Sequence, residues 1–276
     1  MLNLDLRHRA ANAVDRAYQA MPVRDASQYS VNRKLYVTVL EQLLFEMGGG
    51  GLRGKRVLDV GAGRGILALA IRFLGAETTA LEKYAFDHSA SKMFKEGGEE
   101  DLLNVWRAHG VTPLLEDLFV MDSVIPPASF DAVVTVEVIE HIKAPKRLLD
   151  QIHRALKPNG IMIIATPNYG RLHARLRLLF GQNPKLDLKP FYLLGEDGFI
   201  GHWREYLPSE LEDMLKFSNF IHTHTATFCD PWYVVRKYVS LYTIKQSIIH
   251  LLSYLVPHGR YEVLTVGRKI EVPVTI

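Results

Sequence analysis

The feature that most constrains this chain is a short apolar run that breaks into three glycines at alternate positions. The run Val57-Leu58-Asp59-Val60 continues as Gly61-Ala62-Gly63-Arg64-Gly65. Glycine has no Cβ, so a ligand can pack against the backbone and positive φ angles become accessible. Residues 66–71 are mostly good helix formers, and the free N–H groups of a helix that starts there would face the same ligand. The pattern predicts a strand, a turn and a helix that together bind a nucleotide-type cofactor.

Two common nucleotide-binding motifs fit this turn poorly. The dinucleotide fingerprint needs Gly or Ala three positions after its second glycine, where this chain has Ile66. No Gly-Lys-Ser or Gly-Lys-Thr closes the turn, so it is not a P-loop. An NAD-dependent oxidoreductase therefore stays open as an alternative that Ile66 disfavours, and a glycine-rich turn without any ligand is another.

Composition and charge exclude several classes of protein. The chain has 33 Lys and Arg against 30 Asp and Glu, a net charge of +3, so we expect no nucleic-acid partner. Its one cysteine, Cys229, cannot form an internal disulfide, and no Cys/His cluster has the spacing of metal ligands. We therefore expect a cytoplasmic protein and assign no metal ligand. Neither a signal peptide nor an apolar stretch long enough to span a membrane is expected.

The region from Lys55 to Thr166 alternates β-rich runs with helical segments. This alternation predicts an α/β fold with a doubly wound, mostly parallel sheet. Two later β-like runs are expected to add an antiparallel pair at one edge, for seven strands in all. The predicted strands are Arg56–Val60, Thr78–Leu81, Val111–Leu115, Asp131–Val136, Ile161–Ala165, Ile221–Phe228 and Glu262–Val266.

The rest of the chain divides around this core. We expect an N-terminal helical segment over residues 1–50 and a main domain over 51–276 with a helical cap insertion at about 168–206. The helix before the fifth strand is expected to include Pro145 in its first turn and to stop at Pro158-Asn159-Gly160. In the insertion, apolar residues recur at helical spacing from Leu172, and Arg171 and Arg175 are expected on a solvated face.

Three blocks resemble a known family. They are the Asp-x-Gly-x-Gly-x-Gly turn at 59–65, the Glu-Val-Ile-Glu-His block at 137–141 with Leu-Lys-Pro-Asn-Gly at 156–160, and the segment 202–211. Together they resemble the class I S-adenosylmethionine-dependent methyltransferases, in particular the subgroup with the ubiquinone-biosynthesis O-methyltransferases, over about Lys55 to Phe220. The resemblance implies a Rossmann-like methyltransferase fold and S-adenosyl-L-methionine as cofactor.

The resemblance also implies a reaction. It implies methyl transfer to a small-molecule, lipid-linked or glycan-linked acceptor, with oxygen as the expected atom. A methyltransferase-like module that binds without turnover is an alternative from another class. An RNA methyltransferase is disfavoured, because no platform of aromatic and basic side chains stands out.

Acids at the strand ends are the candidate cofactor contacts, because those ends converge on the ligand crevice. Glu82 ends the second strand and can accept hydrogen bonds from both ribose hydroxyls. Asp59 is expected to face the glycine turn or the cofactor's ammonium, with a structural role as the alternative. Asp117 follows the third strand, where the family often places an acid near the adenine amino group. The full candidate set is Asp59, Gly61, Ala62, Gly63, Gly65, Glu82, Lys83, Asp117, Leu118 and Glu137.

Methylation of a hydroxyl requires a base that removes its proton, and histidine titrates in a suitable range. His141 is the first candidate, with Glu140 beside it as an orienting carboxylate or cation ligand. His202 is the second candidate. A helix cap or a loop brace is the structural alternative for these residues.

The stretch 232–256 is amphipathic. Polar residues from Arg236 to His250 follow one helical face, and the opposite face carries Leu241, Ile244, Ile248, Leu251, Leu252 and Leu255. We expect this apolar face to pack on the sheet or to line a substrate pocket. Peripheral contact with the inner face of a membrane is the alternative.

Overall fold

The structure is a computed structural model that describes residues 4–21, 26–83, 99–184, 188–189, 191–193, 201–228 and 241–270. Seven strands form one sheet. They are β1 (Arg56–Val60), β2 (Glu77–Leu81), β3 (Val111–Leu114), β4 (Phe130–Val136), β5 (Leu156–Pro167), β6 (Phe220–Phe228) and β7 (Glu262–Lys269). Nine α-helices accompany them in the described part of the chain. They are α1 (Leu4–Ala20), α2 (Ala26–Glu46), α3 (Ile66–Phe73), α4 (Glu99–Ala108), α5 (Met121–Val124), α6 (Pro145–Ala155), α7 (Leu172–Leu179), α8 (Pro208–Phe217) and α9 (Leu241–Leu252).

The sheet has the order β3-β2-β1-β4-β5-β7-β6. Strands β1 to β5 pair in parallel, whereas β7 runs antiparallel to both β5 and β6. The prediction of a doubly wound, mostly parallel sheet of seven strands is therefore confirmed, with the expected antiparallel pair at one edge. In such a sheet the carboxyl ends of the parallel strands form one edge, which is where ligands bind.

The start of β5 differs from the prediction. The strand begins at Leu156, directly after α6, and Leu156 pairs with Phe130 before pairing resumes at Ile161 opposite Ala132. The Pro158-Asn159-Gly160 sequence therefore lies in an irregularity between two paired stretches, and Asn159 adopts a φ of 62° there. The helix ends three residues earlier than expected because the backbone of Leu156 already joins the sheet.

The two faces of the sheet carry separate apolar layers. Successive strand residues point to opposite faces, so Val57 packs with α1, α2 and α3 while Leu58 packs with α6 and α8. Helices α1 and α2 share one buried cluster with α3, in which Leu40 and Leu44 are fully buried. A domain boundary at residue 50 stays a prediction.

Helix α9 corrects the expectation for the stretch 232–256. Four of its apolar residues, Ile244, Ile248, Leu251 and Leu252, are exposed rather than packed on the sheet, and Leu251 is 69% exposed. The helix belongs to the connection that leaves the sheet where Phe228 pairs with Glu262, and Glu262 also pairs with Pro167. That point is the carboxyl edge of the sheet. Arg236 and Ser240 lie outside the described residues.

No helix in the described part of the chain combines the length and apolar character that crossing a membrane requires.

Candidate active site at the carboxyl edge of the sheet

The glycine turn between β1 and α3 has the backbone that its sequence requires. Gly61, Gly63 and Gly65 all have positive φ, at 73°, 54° and 78°. A Cβ on Gly61 would lie 2.3 Å from a methyl carbon of Val138, and one on Gly65 would lie 2.0 Å from Nε1 of Trp106. No described atom lies within 4 Å of a Cβ built on Gly63. The outer glycines are needed for packing, whereas the middle one borders open space that a ligand can reach.

Two neighbours hold this turn in place. The Gly61 and Ala62 N–H groups donate to the Leu81 carbonyl at 2.9 and 3.1 Å, which ties the turn to the end of β2. Trp106, buried on α4, donates from Nε1 to the Arg64 carbonyl at 3.2 Å. Trp106 was not among the residues predicted from the sequence. Its apolar neighbours Leu102 and Leu103, one turn earlier on the helix, were the available signal that it faces inward.

Asp59 lies buried at the end of β1, facing the first turn of α3. It accepts a hydrogen bond from the Ala68 N–H, as the expectation that it faces the glycine turn implies. Its Oδ2 is buried and has no hydrogen-bond partner among the described residues. Burial, and then the charge of Glu82, raise the pKa of Asp59 to about 8. One carboxylate oxygen is therefore available for a donor from a ligand.

Replacement of Asp59 by asparagine is expected to stabilise the ligand-free protein at pH 8. Because the folded-state pKa is raised from 3.8 to about 8, the folded chain holds the proton more tightly than the unfolded chain does. The free energy of unfolding therefore falls as the pH rises through this window, and asparagine removes that loss. Thermal unfolding at pH 8 should show a melting temperature higher by a few degrees.

Asp131 on β4 provides a control of opposite sign for that experiment. Burial raises its pKa, but hydrogen bonds from the Arg56 N–H and from Lys157 outweigh this and hold the pKa below its usual range. The stabilisation from this ionised carboxylate is present above its unfolded-state pKa and is lost as the pH falls. Asp131→Asn should thus lower the melting temperature at pH 8. A lower melting temperature for Asp59→Asn as well would contradict the assignment of Asp59.

The predicted acids of β2 and β3 form two separate contacts. Glu82 accepts a hydrogen bond from the Gly63 N–H at 2.7 Å, so it reaches the open part of the turn. Lys83 pairs with Asp117 at 2.5 Å, and Asp117 also accepts from the Phe119 N–H. These bonds outweigh burial and lower the pKa of Asp117. Leu118 begins a single turn of 3₁₀ helix at this point.

A tyrosine from the N-terminal helices joins the same region. Burial raises the pKa of Tyr36, on α2, to about 12. The charges of Asp59 and Glu137 also raise this pKa, whereas the charge of Arg64 lowers it. Tyr36 was not predicted from the sequence, although its position beside the apolar stripe of α2 is a signal that it faces inward. Helix α2 therefore contributes to the wall around Asp59.

The Glu-Val-Ile-Glu-His block turns sharply after β4. Glu137 has a φ of 56°, and its N–H donates to the Ala165 carbonyl at 2.9 Å. Its side chain is buried with Glu262, and burial followed by the charges of Glu262 and Glu140 raises its pKa. Glu137 therefore lies near Glu262 of β7 and Glu140 of its own block. The next residue, Val138, lies against Gly61 of the glycine turn.

Glu140 is fully buried within this block. Its Oε2 accepts from the Thr166 hydroxyl at 2.7 Å, and Oε1 has no hydrogen-bond partner among the described residues. Burial raises the pKa of Glu140. Its backbone carbonyl accepts from the Trp203 N–H at 2.7 Å, which brings the 202–211 segment against the block.

The two candidate bases lie side by side. The rings of His141 and His202 meet edge to face with their centroids 4.8 Å apart. Nδ1 of His141 contacts the Gly201 carbonyl at 3.2 Å, and Nδ1 of His202 contacts Oε1 of Glu205 at 3.1 Å. Since a carbonyl and a carboxylate only accept, each neutral ring carries its proton on Nδ1 and keeps a lone pair on Nε2. The structure therefore brings together residues that are 61 positions apart in the chain.

An ion pair fixes the carboxylate behind His202. Glu205 bonds to the guanidinium of Arg171, at the start of α7. Burial alone would raise the pKa of Glu205, but His202 and Arg171 lower it to about 2. The prediction that Arg171 lies on a solvated face is wrong, because Arg171 is only 8% exposed. Glu205 supplies the counter-charge that this burial requires.

The same cluster contains atoms that could coordinate a cation. One ligand atom each from Glu140, His141 and His202 lies within 4.8 Å of the others. Carboxylate oxygen and imidazole nitrogen are ligands for divalent metals such as zinc. From the sequence, Glu140 alone was considered as a cation ligand, because spacing along the chain gave no sign that His202 lies beside the block.

Comparison with known proteins matches this arrangement to methyltransferases. A family model described as "Methyltransferase domain" matches residues 31–224. A ubiquinone biosynthesis O-methyltransferase from Xylella fastidiosa is 32% identical over 126 residues, which cover 42% of this chain and 44% of that protein. One from Pseudomonas aeruginosa is 27% identical over 167 residues, with 60% of each chain covered. The match thus spans less than two thirds of either relative.

Solved structures show the same fold at low identity. The 1,6-didemethyltoxoflavin-N1-methyltransferase of Burkholderia thailandensis, solved with 1,6-didemethyltoxoflavin and S-adenosylhomocysteine bound, is 17% identical with a TM-score of 0.52. That match covers 85% of this chain and 77% of that one. A SAM-dependent methyltransferase from Archaeoglobus fulgidus is 18% identical with a TM-score of 0.52, covering 84% and 93%.

Proposed function

Because this chain belongs to the methyltransferase domain family, as a class I S-adenosylmethionine-dependent enzyme, we propose that it methylates a hydroxyl oxygen of a small molecule in free or lipid-linked form. The observation that carries the proposal is the pairing of His141 and His202 beside the buried carboxylate of Glu140. A base next to the cofactor crevice is what a hydroxyl acceptor requires. The family membership removes the NAD-dependent alternative.

The residues around the glycine turn suit the cofactor. When bound, S-adenosylmethionine supplies a methyl group on a sulfonium, whose C–S electron pair stays on sulfur while a lone pair of the acceptor forms the new bond. Glu82 would accept hydrogen bonds from the ribose hydroxyls, and Oδ2 of Asp59 would accept from the ammonium. The open space at Gly63 would let the backbone approach the ligand closely. Lys83, Asp117 and Leu118 would line the adenine end.

His202 is the preferred base in this proposal. Its Nδ1 proton is held by Glu205, whose pKa of about 2 keeps it ionised, so the lone pair of the neutral ring lies on Nε2, which would take the proton of the acceptor hydroxyl. The carboxylate would then stabilise the imidazolium that forms. Nδ1 of His141 contacts a backbone carbonyl rather than a carboxylate, so we rank His141 second, reversing the order that the sequence suggested. Glu140 would orient the acceptor or a cation beside the two rings.

The names of the relatives support oxygen as the atom that is methylated. The proteins of Xylella fastidiosa and Pseudomonas aeruginosa are both named O-methyltransferases. The Burkholderia thailandensis enzyme is named an N1-methyltransferase, so the fold alone does not choose the atom. The atom must therefore be identified by chemistry.

Transfer of a labelled methyl group tests the proposal. The protein is incubated with S-adenosylmethionine carrying a labelled methyl group and with a panel of hydroxylated aromatic and aliphatic compounds, each with and without an isoprenoid chain. Label is expected in a product that survives mild alkali, which cleaves methyl esters, and that releases methyl iodide with hydriodic acid, as methyl ethers do. His224→Ala, at an exposed position on β6, serves as the control and should retain full activity.

Two results would contradict the proposal. Label that hydriodic acid does not release would place the methyl group on another atom, such as carbon. Tight cofactor binding with no labelled product from the panel or from a cell extract would instead favour a binding module without turnover.

A further inference from the structure

Exposed apolar side chains are concentrated on two neighbouring helices of this protein. On α9 and just after it they recur at intervals of three and four, so they form a stripe along one helical face. The C-terminal end of α7 adds three more, and Leu179 and Leu255 are 76% and 78% exposed. This α7/α9 face consists of Leu178, Leu179, Phe180, Ile244, Ile248, Leu251, Leu252 and Leu255. Single exposed apolar residues are ordinary, but a stripe of this kind indicates an interaction surface.

Helix α7 contacts both α9 and the residues that follow it. The Leu172 N–H donates to the Gly259 carbonyl at 2.8 Å, and Arg175 donates to the Pro257 carbonyl at 3.0 Å. Burial lowers the pKa of His173 on α7, and among the nearby charges that lower it further is that of Lys245 on α9. The residues that follow α9 therefore lie against the start of α7, and the exposed residues of both helices belong to one region of the surface.

The charge of this region is strongly one-sided. The described residues of segments 171–193 and 241–261 include six Lys or Arg residues and no acid, whereas the whole chain is nearly balanced. One of the six, Arg171, is buried in its ion pair with Glu205. Lys189 and Lys245 are exposed. Apolar side chains interleaved with basic ones are typical of helices that lie in the interface of an anionic bilayer.

We propose that the α7/α9 face docks on the surface of an anionic lipid bilayer. The apolar stripe would enter the boundary between headgroups and acyl chains, while the basic side chains contact lipid phosphates. A nucleic acid would not cover the apolar stripe, and a protein partner or a second copy would not require the excess of basic residues.

The position of this face relates it to the candidate active site. Helix α7 begins after Arg171, whose ion pair with Glu205 holds His202. The connection that carries α9 leaves the sheet at the carboxyl edge, where Glu262 pairs with Pro167. A docked protein would thus present its acceptor site close to the membrane, as a lipid-linked acceptor requires. Only this last step rests on the proposed function.

Vesicle flotation tests the docking without cofactor or acceptor, so its outcome is independent of the proposed function. Wild-type protein should float with vesicles of phosphatidylglycerol and phosphatidylcholine and bind at least tenfold more weakly to phosphatidylcholine alone. The double variant Ile248→Glu/Leu251→Glu should lose at least tenfold in binding to anionic vesicles. Phe45→Glu changes an equally exposed apolar residue on α2 and should bind as wild type does. Lys245→Glu should weaken binding most at low salt.

The folded state of each variant is checked by its melting temperature, which should not change because the substituted side chains are exposed. The proposal is overturned if wild-type protein does not bind anionic vesicles, or if both α9 variants bind as wild type does. It is also overturned if the double variant only abolishes a dimer that gel filtration detects in the wild-type protein, with vesicle binding unaffected.

Discussion

Replacement of His202 by alanine is expected to lower kcat for methyl transfer by about 10²–10⁴-fold, the usual contribution of a positioned general base. Affinity for S-adenosylmethionine should stay close to that of the wild type, because His202 lies with Glu140 and His141 rather than in the glycine turn. Steady-state kinetics at saturating cofactor, together with calorimetry of cofactor binding, separate the two quantities. His224→Ala controls for the removal of a histidine elsewhere.

Rescue by imidazole distinguishes a base from a purely structural role of His202. Added imidazole should restore part of the activity of His202→Ala if the missing group is a base, and should have no effect if only packing is lost. Glu205→Gln keeps the volume of the side chain but removes the charge that stabilises an imidazolium, so it should lower kcat less than His202→Ala does. Full activity in His202→Ala would show that His202 is not the general base and would leave His141 as the candidate.

Replacement of Glu82 by alanine is expected to weaken binding of S-adenosylmethionine by about 10- to 100-fold, which corresponds to the net loss of one hydrogen bond to a charged group, about 1.5–3 kcal/mol. Glu82 reaches the Gly63 N–H, so it lies where the turn borders open space. Calorimetric titration with the cofactor measures the change directly. At saturating cofactor, kcat should be nearly unaffected.

The same strand offers a matched control for Glu82. Glu77 is an exposed acid at the opposite end of β2, and Glu77→Ala should bind the cofactor as wild type does. Glu82→Gln should lie between wild type and alanine, because an amide oxygen still accepts one hydrogen bond. Equal affinity in wild type and Glu82→Ala would remove Glu82 from the cofactor site.

The sequence predicted the sheet well because its signals are local. Each strand is a short apolar run bounded by turn residues, and the glycine turn has a geometry that other residues adopt only at a cost. The start of β5 was placed five residues late, because Lys157 to Gly160 read as a turn and nothing in the chain shows that Leu156 already pairs with Phe130. Pairing between distant strands is decided by the fold as a whole.

The candidate site was predictable in its parts but not in its assembly. Local patterns identified Glu140, His141 and His202 separately, and the contact between the two histidines depends on the path of the chain between them. The burial of Arg171 could not be foreseen, because a charged residue is buried only where a partner such as Glu205 compensates it. For α9, packing on the sheet was favoured over an exposed stripe at a membrane, since an apolar stripe looks the same in either case.

Among the described residues, the strand that comes last in the chain does not lie at the edge of the sheet, since β7 inserts between β5 and β6 and carries Glu262 beside Glu137. During synthesis, β6 leaves the ribosome before β7, its partner among the described strands, exists. Contacts between residues so far apart form slowly. Nascent chains will therefore lack a complete acidic cluster until β7 has emerged, and turnover begins only after that final insertion.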